Sequence, residues 1–283
     1  MPDQEQEPKH HDFHAEASVL EGHLTLPLVQ DIKTQAYANL PVKGGYIAQH
    51  ESDYRLESVI SFRKAYTQVA GNPGSKPGHK WTTLSTSVIE GLNILDVVTA
   101  DRIVAQVSLD HPPDGYIPSI TFLGTRFENL KIAGKPVDVT LDLNLVGEKL
   151  AGDEPFTNSS HFRNKVAAQR VQVQAHPNLL AELVQRYTGF SRQVGDLEAV
   201  ECSLVDHADY AEPGRCHGHV IHVPDFGTIC LANLRLEHSD PKPSTGIPRK
   251  TLVHLTMMDI KMGCVAEGET GVGVTKTNGA TMP

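Results

Sequence analysis

The stretch Gly91–Leu109, GLNILDVVTADRIVAQVSL, decides the fold that we predict for this chain. It runs apolar up to a turn at Asp96, and from Arg102 to Leu109 apolar and polar side chains then alternate. Successive side chains of a strand point to opposite faces, so this alternation places one set in a core and the other in water. The stretch therefore predicts a turn that leads into a half-buried strand.

Two further phrases share this outline of two apolar positions, a turn and an alternating strand. They are Phe127–Val137, FENLKIAGKPV, and Leu255–Val272, LTMMDIKMGCVAEGETGV. The cleanest alternation in the chain runs from Val137 to Leu145. These patterns predict an all-β protein, a β-sandwich of antiparallel hairpin units.

One segment predicts a helix. Pro177 suits a first helical position, and an apolar stripe follows it, made of Leu179, Leu180, Leu183, Val184 and Tyr187. We interpret it as a small helical insertion on the β scaffold. The expected organisation is a disordered tail at 1–13, a first β region at 14–150, a polar linker with the helical insertion at 151–195, a second β region at 196–274 that completes the sandwich, and a tail at 275–283.

Composition narrows the classes of function. The formal net charge is −9, and no basic run is present, so binding to nucleic acid is not expected because it requires clustered Lys and Arg. No apolar segment approaches the roughly 20 residues that span a bilayer. The polar start of the sequence lacks the apolar core of a signal peptide. No GxSxG motif or phosphate-binding loop is present. The hypothesis that the protein is an enzyme is therefore less favoured.

The most suggestive chemistry lies in Cys216–His222, CHGHVIH. On a strand, His217 and His219 would project to one face about 7 Å apart, which suits two ligands of one zinc or copper ion. His222 would face away unless a bulge intervenes. The candidates for a further ligand are His207, Asp206, Asp209 and His254. The alternative interpretation is a hydrophilic strand with exposed histidines.

Two other features stay open at the level of the sequence. The run His10–His14 is a second histidine-rich segment, and a solvated tail is its simplest interpretation. The four cysteines form no CxxC pair. A disulfide between Cys202 and Cys216 and buried free thiols are equally compatible with their spacing.

Three phrases carry a resemblance to a known family: Glu90–Val107, Thr125–Val137 and Thr251–Val274. In this order they resemble the bacterial choice-of-anchor P proteins. The resemblance covers about half of the chain, rests on fold-making residues and supplies no catalytic residue. It implies an extracellular or surface-attached protein, although this sequence shows neither a signal peptide nor a sorting motif.

The first functional hypothesis is a non-enzymatic structural or surface-associated protein that forms homo-oligomers through exposed edge strands. The second is a metal-binding protein or metal-dependent enzyme that uses zinc or copper at His217, His219, His222 and His207. A third hypothesis is a sandwich that binds a carbohydrate or another small ligand. It is poorly equipped with aromatic platforms, since Trp81 is the single tryptophan.

Overall fold

A computed structural model of the chain describes residues 10–26, 29–72, 81–112, 116–176, 181–212, 215–239, 250–263 and 267–282. The strands are β1 His10–Leu26, β2 Gln30–Gln35, β3 Ala38–Asn39, β4 Gly45–Leu56, β5 Ile60–Asn72, β6 Trp81–Ile94, β7 Val98–His111, β8 Ser119–Thr121, β9 Arg126–Glu128, β10 Lys131–Ile132, β11 Lys135–Leu141, β12 Arg192–Val194, β13 Leu197–Ser203, β14 Val205–Tyr210, β15 Cys216–His217, β16 Val220–Val223, β17 Gly227–Ser239, β18 Lys250–Gly263 and β19 Glu267–Met282. The helices are α1 Ser160–Gln174 and α2 Ala181–Arg186, with short 3-10 turns at Ala151–Asp153 and Phe156–Asn158.

The strands form two antiparallel sheets that pack face to face as a sandwich, so the all-β prediction is confirmed. Within the described residues, sheet A contains ten strands in the order β12-β13-β17-β18-β19-β1-β2, with β15, β16 and β3 attached beside this path. Sheet B contains nine strands in the order β14-β11-β10-β7-β6-β5-β4, with β8 and β9 attached to β7. The sheets face each other through β1 and β19 on one side and β5, β6 and β7 on the other.

The predicted hairpins are confirmed at the β6–β7 and β10–β11 connections. The first turns through Leu95 and Asp96, whose φ angles are 52° and 54°, and the Asn93 side chain accepts a hydrogen bond from the Asp96 N–H at 2.8 Å. The second turns through Ala133 and Gly134, with φ angles of 49° and 76°. Positive φ at both central residues matches the right-handed twist of the flanking strands.

The interior changes character along the strands. One part is a large cluster of buried aliphatic side chains shared by both sheets, and each fully buried Leu or Ile there contributes about 1.5–3 kcal/mol. At the other end small and hydroxyl residues face inward. Ser85 Oγ donates to Glu16 O at 2.7 Å and Ser87 Oγ donates to Ser18 O at 2.8 Å, so side chains of sheet B bond to the backbone of sheet A.

Both expected tails differ from the structure in their inner parts. Residues 10–13 begin β1, and residues 275–282 end β19, which pairs with β1 from His10↔Met282 to Leu26↔Glu267. The C-terminal strand was missed because its inward residues there are Thr275, Thr277 and Gly279, which give no apolar alternation. Pairing with β1 supplies the backbone hydrogen bonds that keep this segment extended.

The helical insertion also needs a correction. The predicted helix at Pro177–Tyr187 is represented by the short α2, and residues 177–180 lie outside the described part of the chain. The longer helix is α1, 15 residues, in a segment that we had interpreted as polar linker. Its N-cap Ser159 accepts a hydrogen bond from the Phe162 N–H at 3.4 Å. Its buried face needs few apolar residues, chiefly Phe162, Val166 and Val173.

The two expected β regions are interleaved in space. The first region supplies β1, β2 and β3 to sheet A and the bulk of sheet B, whereas the second supplies β14 to sheet B and the remaining strands of sheet A except β12, which lies in the expected linker. Each sheet therefore requires strands from both regions.

Candidate functional site

The segment Cys216–His222 forms a tight hairpin, whereas we had expected one continuous strand. Strands β15 and β16 pair as Cys216↔Ile221 and His217↔Val220, and the turn between them consists of Gly218 and His219. Gly218 has a φ of 62°, the conformation that glycine supplies at the first central position of a type II′ turn. The predicted shared face of His217 and His219 is therefore wrong, because His219 occupies the turn.

The same hairpin brings His222 to the face of His217. The His222 N–H donates to Arg215 O at 2.9 Å, so His222 lies opposite a residue two positions before His217. Residues two apart on a strand share a face, as do residues directly opposite across an antiparallel pair. The turn at Gly218 therefore places His217 and His222 on the same face. In a single continuous strand, a bulge would have been needed for this.

A third ring, which the sequence did not reveal, covers this face. His176 follows the C-cap of α1, and its ring centroid lies 4.7 Å from that of His217 and 6.0 Å from that of His222. The hairpin turn packs under the same helix end, since a Cβ on Gly218 would lie 3.1 Å from Gln172 Oε1. We call His176, His217 and His222 the hairpin histidine cluster.

The surroundings of His176 favour its neutral form. Burial lowers the pKa of His176, and the positive charges of His217 and His222 lower it further. His217 Nε2 and His222 Nδ1 are buried atoms without a hydrogen-bond partner among the described residues. Buried polar atoms in native proteins are nearly always satisfied by protein, water or an ion. Neutral rings with free lone pairs are the form in which histidine binds metals.

His219 belongs to a different environment. Its ring is 1% exposed, and its Nε2 shares a hydrogen bond of 2.6 Å with the Tyr187 hydroxyl. Burial, aided by the positive charge of Arg186, lowers its pKa to about 3. Tyr187 also donates to Asn233 Oδ1 at 3.4 Å. His219 is therefore part of the packing between the helical insertion and sheet A.

A short polar chain continues from Asn233 to the surface. Asn233 Nδ2 donates to Asp259 Oδ2 at 3.2 Å, and Arg186 Nη1 donates to the same oxygen at 2.8 Å. Since Arg186 ends α2 and Asp259 lies on β18, these bonds fasten the short helix to the sheet.

The other predicted ligands lie elsewhere. His207 is exposed on β14, an edge strand of sheet B, where it pairs with Thr140. The Asp206 carboxylate lies 3.8 Å from Lys165 Nζ. Of the four histidines proposed from the sequence, the structure brings together His217 and His222. Across the described residues, no three or more His, Cys, Asp or Glu side chains are already arranged to hold a metal ion.

The disulfide considered between Cys202 and Cys216 is not formed, and both thiols are free. Cys202 Sγ donates to Leu234 O at 3.5 Å inside the core, whereas Cys216 Sγ donates to Gly218 O at 3.5 Å within the hairpin. Burial raises the pKa of Cys202 far above its usual value and, with the charge of Asp209, raises that of Cys216 to about 11. Both cysteines are thus thiols at neutral pH.

A separate open groove of about 720 Å³ lies where α2 meets the ends of β1, β18 and β19. Lys261 crosses it and forms ion pairs with Glu182 and with Glu269, the latter at 2.9 Å. Exposed ion pairs of this kind contribute little stability, and the groove shares no residue with the hairpin histidine cluster.

Fold and site together define an all-β sandwich with a two-helix insertion and a histidine cluster where that insertion meets a hairpin. Residues 11–237 match a family described as a domain of unknown function, DUF8256, and the chain belongs to this family. The curated proteins and the solved structures contain no match to the chain. None of its described helices has the length and apolar character needed to cross a bilayer. The resemblance to choice-of-anchor P proteins stays a prediction.

Proposed function

We propose that this protein binds a divalent transition-metal ion, zinc or copper, through the hairpin histidine cluster. The observation that supports it is the pair of buried, unpartnered nitrogen atoms, His217 Nε2 and His222 Nδ1, beside the ring of His176. Imidazole donors suit Zn²⁺ and Cu²⁺, and both ions form bonds of about 2.0–2.1 Å to histidine nitrogen.

Ring rotation is part of the proposal, because the three donors do not yet surround one point. The side chains of His217 and His222 are only half-buried, so their rings have room to turn towards a shared ion. His176 is more enclosed and serves as the fixed ligand at the end of α1. Three protein ligands would leave one position of a tetrahedral ion for water or for a small ligand.

The direct test is a titration of untagged, chelator-treated protein with ZnCl₂ and CuCl₂ by calorimetry, together with Co²⁺ absorption spectra that report tetrahedral nitrogen ligation. We expect one ion per chain. Substitution of His176, His217 or His222 by Ala should weaken binding at least tenfold, since each removes one of three ligands.

Matched controls come from the chain itself. His207→Ala and His50→Ala remove exposed histidines on the edge strands β14 and β4, and both should leave the affinity unchanged. Equal loss in a control variant, or wild-type affinity in all three cluster variants, would contradict the proposal. Metal bound by the histidine-rich start of the sequence would instead be lost on substitution of His10 and His14.

Strand β4 favours a second candidate function, assembly with a second copy of the chain. It lies at the edge of sheet B and is 12 residues long, and its middle residues, 49–53, are exposed on both faces. An edge strand offers unpaired N–H and C=O groups to another strand. It carries both signs of charge, Glu51 and Asp53 against Arg55, so an antiparallel copy can set acidic beside basic side chains.

Light scattering coupled to size exclusion tests this assembly. We expect a dimer whose population rises with protein concentration and which the double variant Gln49→Lys, Ser52→Lys converts to monomer. A wild-type chain that stays monomeric at the highest accessible concentration would overturn this second proposal without bearing on metal binding.

A further inference from the structure

A second group of histidines lies inside the sandwich, where the ends of β1 and β19 cover sheet B. The His11 ring stacks on Trp81, with centroids 5.2 Å apart and planes at 7°, and its centroid is 4.6 Å from that of His111. Phe13 meets His11 edge-on at 4.7 Å. We call His11 and His111 the terminal histidine pair.

The pair is enclosed and closely packed. His11 is 3% exposed and His111 is 1% exposed. Gly279 of β19 lies against both rings, and a Cβ there would be 2.6 Å from His11 Nε2 and 2.8 Å from His111 Nε2. The pair thus joins three segments at this end of the sandwich: the start of β1, the end of β7 and the end of β19.

Nearby positive charge opposes a proton on the His111 ring. Lys149 adds positive charge near His111 and is itself held 3.4 Å from Asp153. The ring contacts of His11 include Phe13 and Trp81, and Gly279 lies against both rings of the pair; none of these three residues carries a charge. Asp12 and Asp110 neighbour the pair in sequence, but as adjacent strand residues they point to the opposite faces, and Asp110 accepts a hydrogen bond from Thr82.

We propose that the terminal histidine pair is an acid-sensitive latch, which holds the ends of β1 and β19 onto sheet B at neutral pH and releases them when the rings take up protons. Two neutral imidazoles can stack closely with each other and with Trp81. Two imidazolium ions in the same enclosed space repel each other and lose their hydration.

Proton uptake must therefore accompany opening. Burial, together with the neighbouring His11 and Lys149, lowers the pKa of His111 to about 3, so His111 does not take up a proton in mildly acidic solution while the latch is closed. The open latch titrates near 6.5. Below that pH, the equilibrium constant for opening rises up to about tenfold per pH unit for each proton taken up.

Trp81 provides the readout because it is the single tryptophan of the chain and is stacked on His11. We expect its emission to shift to the red between pH 6.5 and pH 4.5 while far-UV circular dichroism retains most of the β signal, because only the ends of β1 and β19 open. In the variant His111→Gln, which keeps a neutral polar side chain, the midpoint of this shift should move to lower pH. The control His50→Gln, at an exposed site on β4, should titrate like the wild type.

Hydrogen exchange of the wild-type protein makes the test independent of how the variants fold. After correction for the intrinsic pH dependence, protection of residues 10–18 and 275–282 should fall between pH 7 and pH 5, whereas residues 98–107 keep theirs. The latch is refuted if all three segments lose protection together, or if Trp81 emission changes only when the β signal is lost.

Discussion

The two histidine groups of this protein differ in how tightly their rings are packed. The terminal histidine pair is enclosed between two sheets, with ring planes fixed by Trp81, Phe13 and Gly279. The hairpin histidine cluster lies at the junction of a helix end and a tight turn, and two of its three residues, His217 and His222, are only partly buried. The structure around a tightly packed ring must open before the ring can be protonated. A partly buried ring has room to rotate and can turn towards a shared ligand.

The largest expected change in stability tests the tight packing of the terminal histidine pair. Gly279→Ala places a Cβ 2.6 Å from His11 Nε2 and 2.8 Å from His111 Nε2, which neither sheet can accommodate without moving. We expect a loss of about 3 kcal/mol in the free energy of unfolding, measured with urea. Gly263→Ala is the matched control, since no heavy atom lies within 4 Å of a Cβ there. Equal stability of the two variants would mean that the pair is loosely packed.

The next largest change in stability tests metal binding by the hairpin histidine cluster. With free zinc at about 100 times its Kd, the wild type should gain about 2.7 kcal/mol of stability by mass action, and His217→Ala should abolish this gain. Without metal, the same variant should differ from the wild type by less than about 0.5 kcal/mol, because the side chain is only partly buried and its Nε2 has no hydrogen bond to lose. Thermal denaturation with and without zinc measures both quantities. A variant that is strongly destabilised without metal would assign His217 a structural role.

A smaller effect separates the two groups by pH. The pKa of His111 is lowered to about 3 in the folded protein, so between that value and 6.5 the unfolded chain binds more protons. The stability associated with His111 is complete above pH 6.5 and decreases as the pH falls towards 3. Between pH 7 and pH 5 the wild type should lose about 2 kcal/mol more than His111→Gln. Urea unfolding at both pH values measures this difference, and parallel curves would contradict it.

The smallest effect concerns His219, which belongs to neither group. Tyr187→Phe removes the hydroxyl that lies 2.6 Å from His219 Nε2 and leaves a buried nitrogen unsatisfied. We expect a cost of about 1.5 kcal/mol with no change in zinc affinity. The control Tyr46→Phe acts on a tyrosine that is 62% exposed and should be neutral. Weaker zinc binding in Tyr187→Phe would place His219 among the ligands.

Sequence alternation was sufficient at two hairpins that close locally. The β6–β7 and β10–β11 hairpins follow directly from apolar positions around short turns. It fails where a strand changes phase. In β18 the buried residues are Val253, Leu255 and Met257, followed by Met258, Ile260 and Met262. The two consecutive buried methionines break the period of two, so a strict alternation rule would turn half of this strand towards solvent.

The site was predicted only in part, because local sequence patterns indicate contacts only between residues that are close in the sequence. His217 and His222 lie within one local hairpin, so their proximity was accessible from six consecutive residues. His176 comes from the end of a helix more than 40 positions earlier, and only tertiary packing of α1 places it there. No pattern near His176 marks its position. The paired ends of the chain were missed likewise, since β1 and β19 stabilise each other across the whole length of the sequence.

That pairing has a consequence for synthesis in the cell. Residues 10–26 leave the ribosome roughly 240 residues ahead of residues 267–282, which form one of the three strands that pair with β1. At about 5–20 residues per second this is a delay of about 12–48 s. During that interval β1 exposes an unpaired edge and the apolar side chains of its inner face. Sheet A therefore cannot be completed before residues 267–282 have been synthesised, and nascent chains of this protein are expected clients for chaperones that shield extended apolar segments.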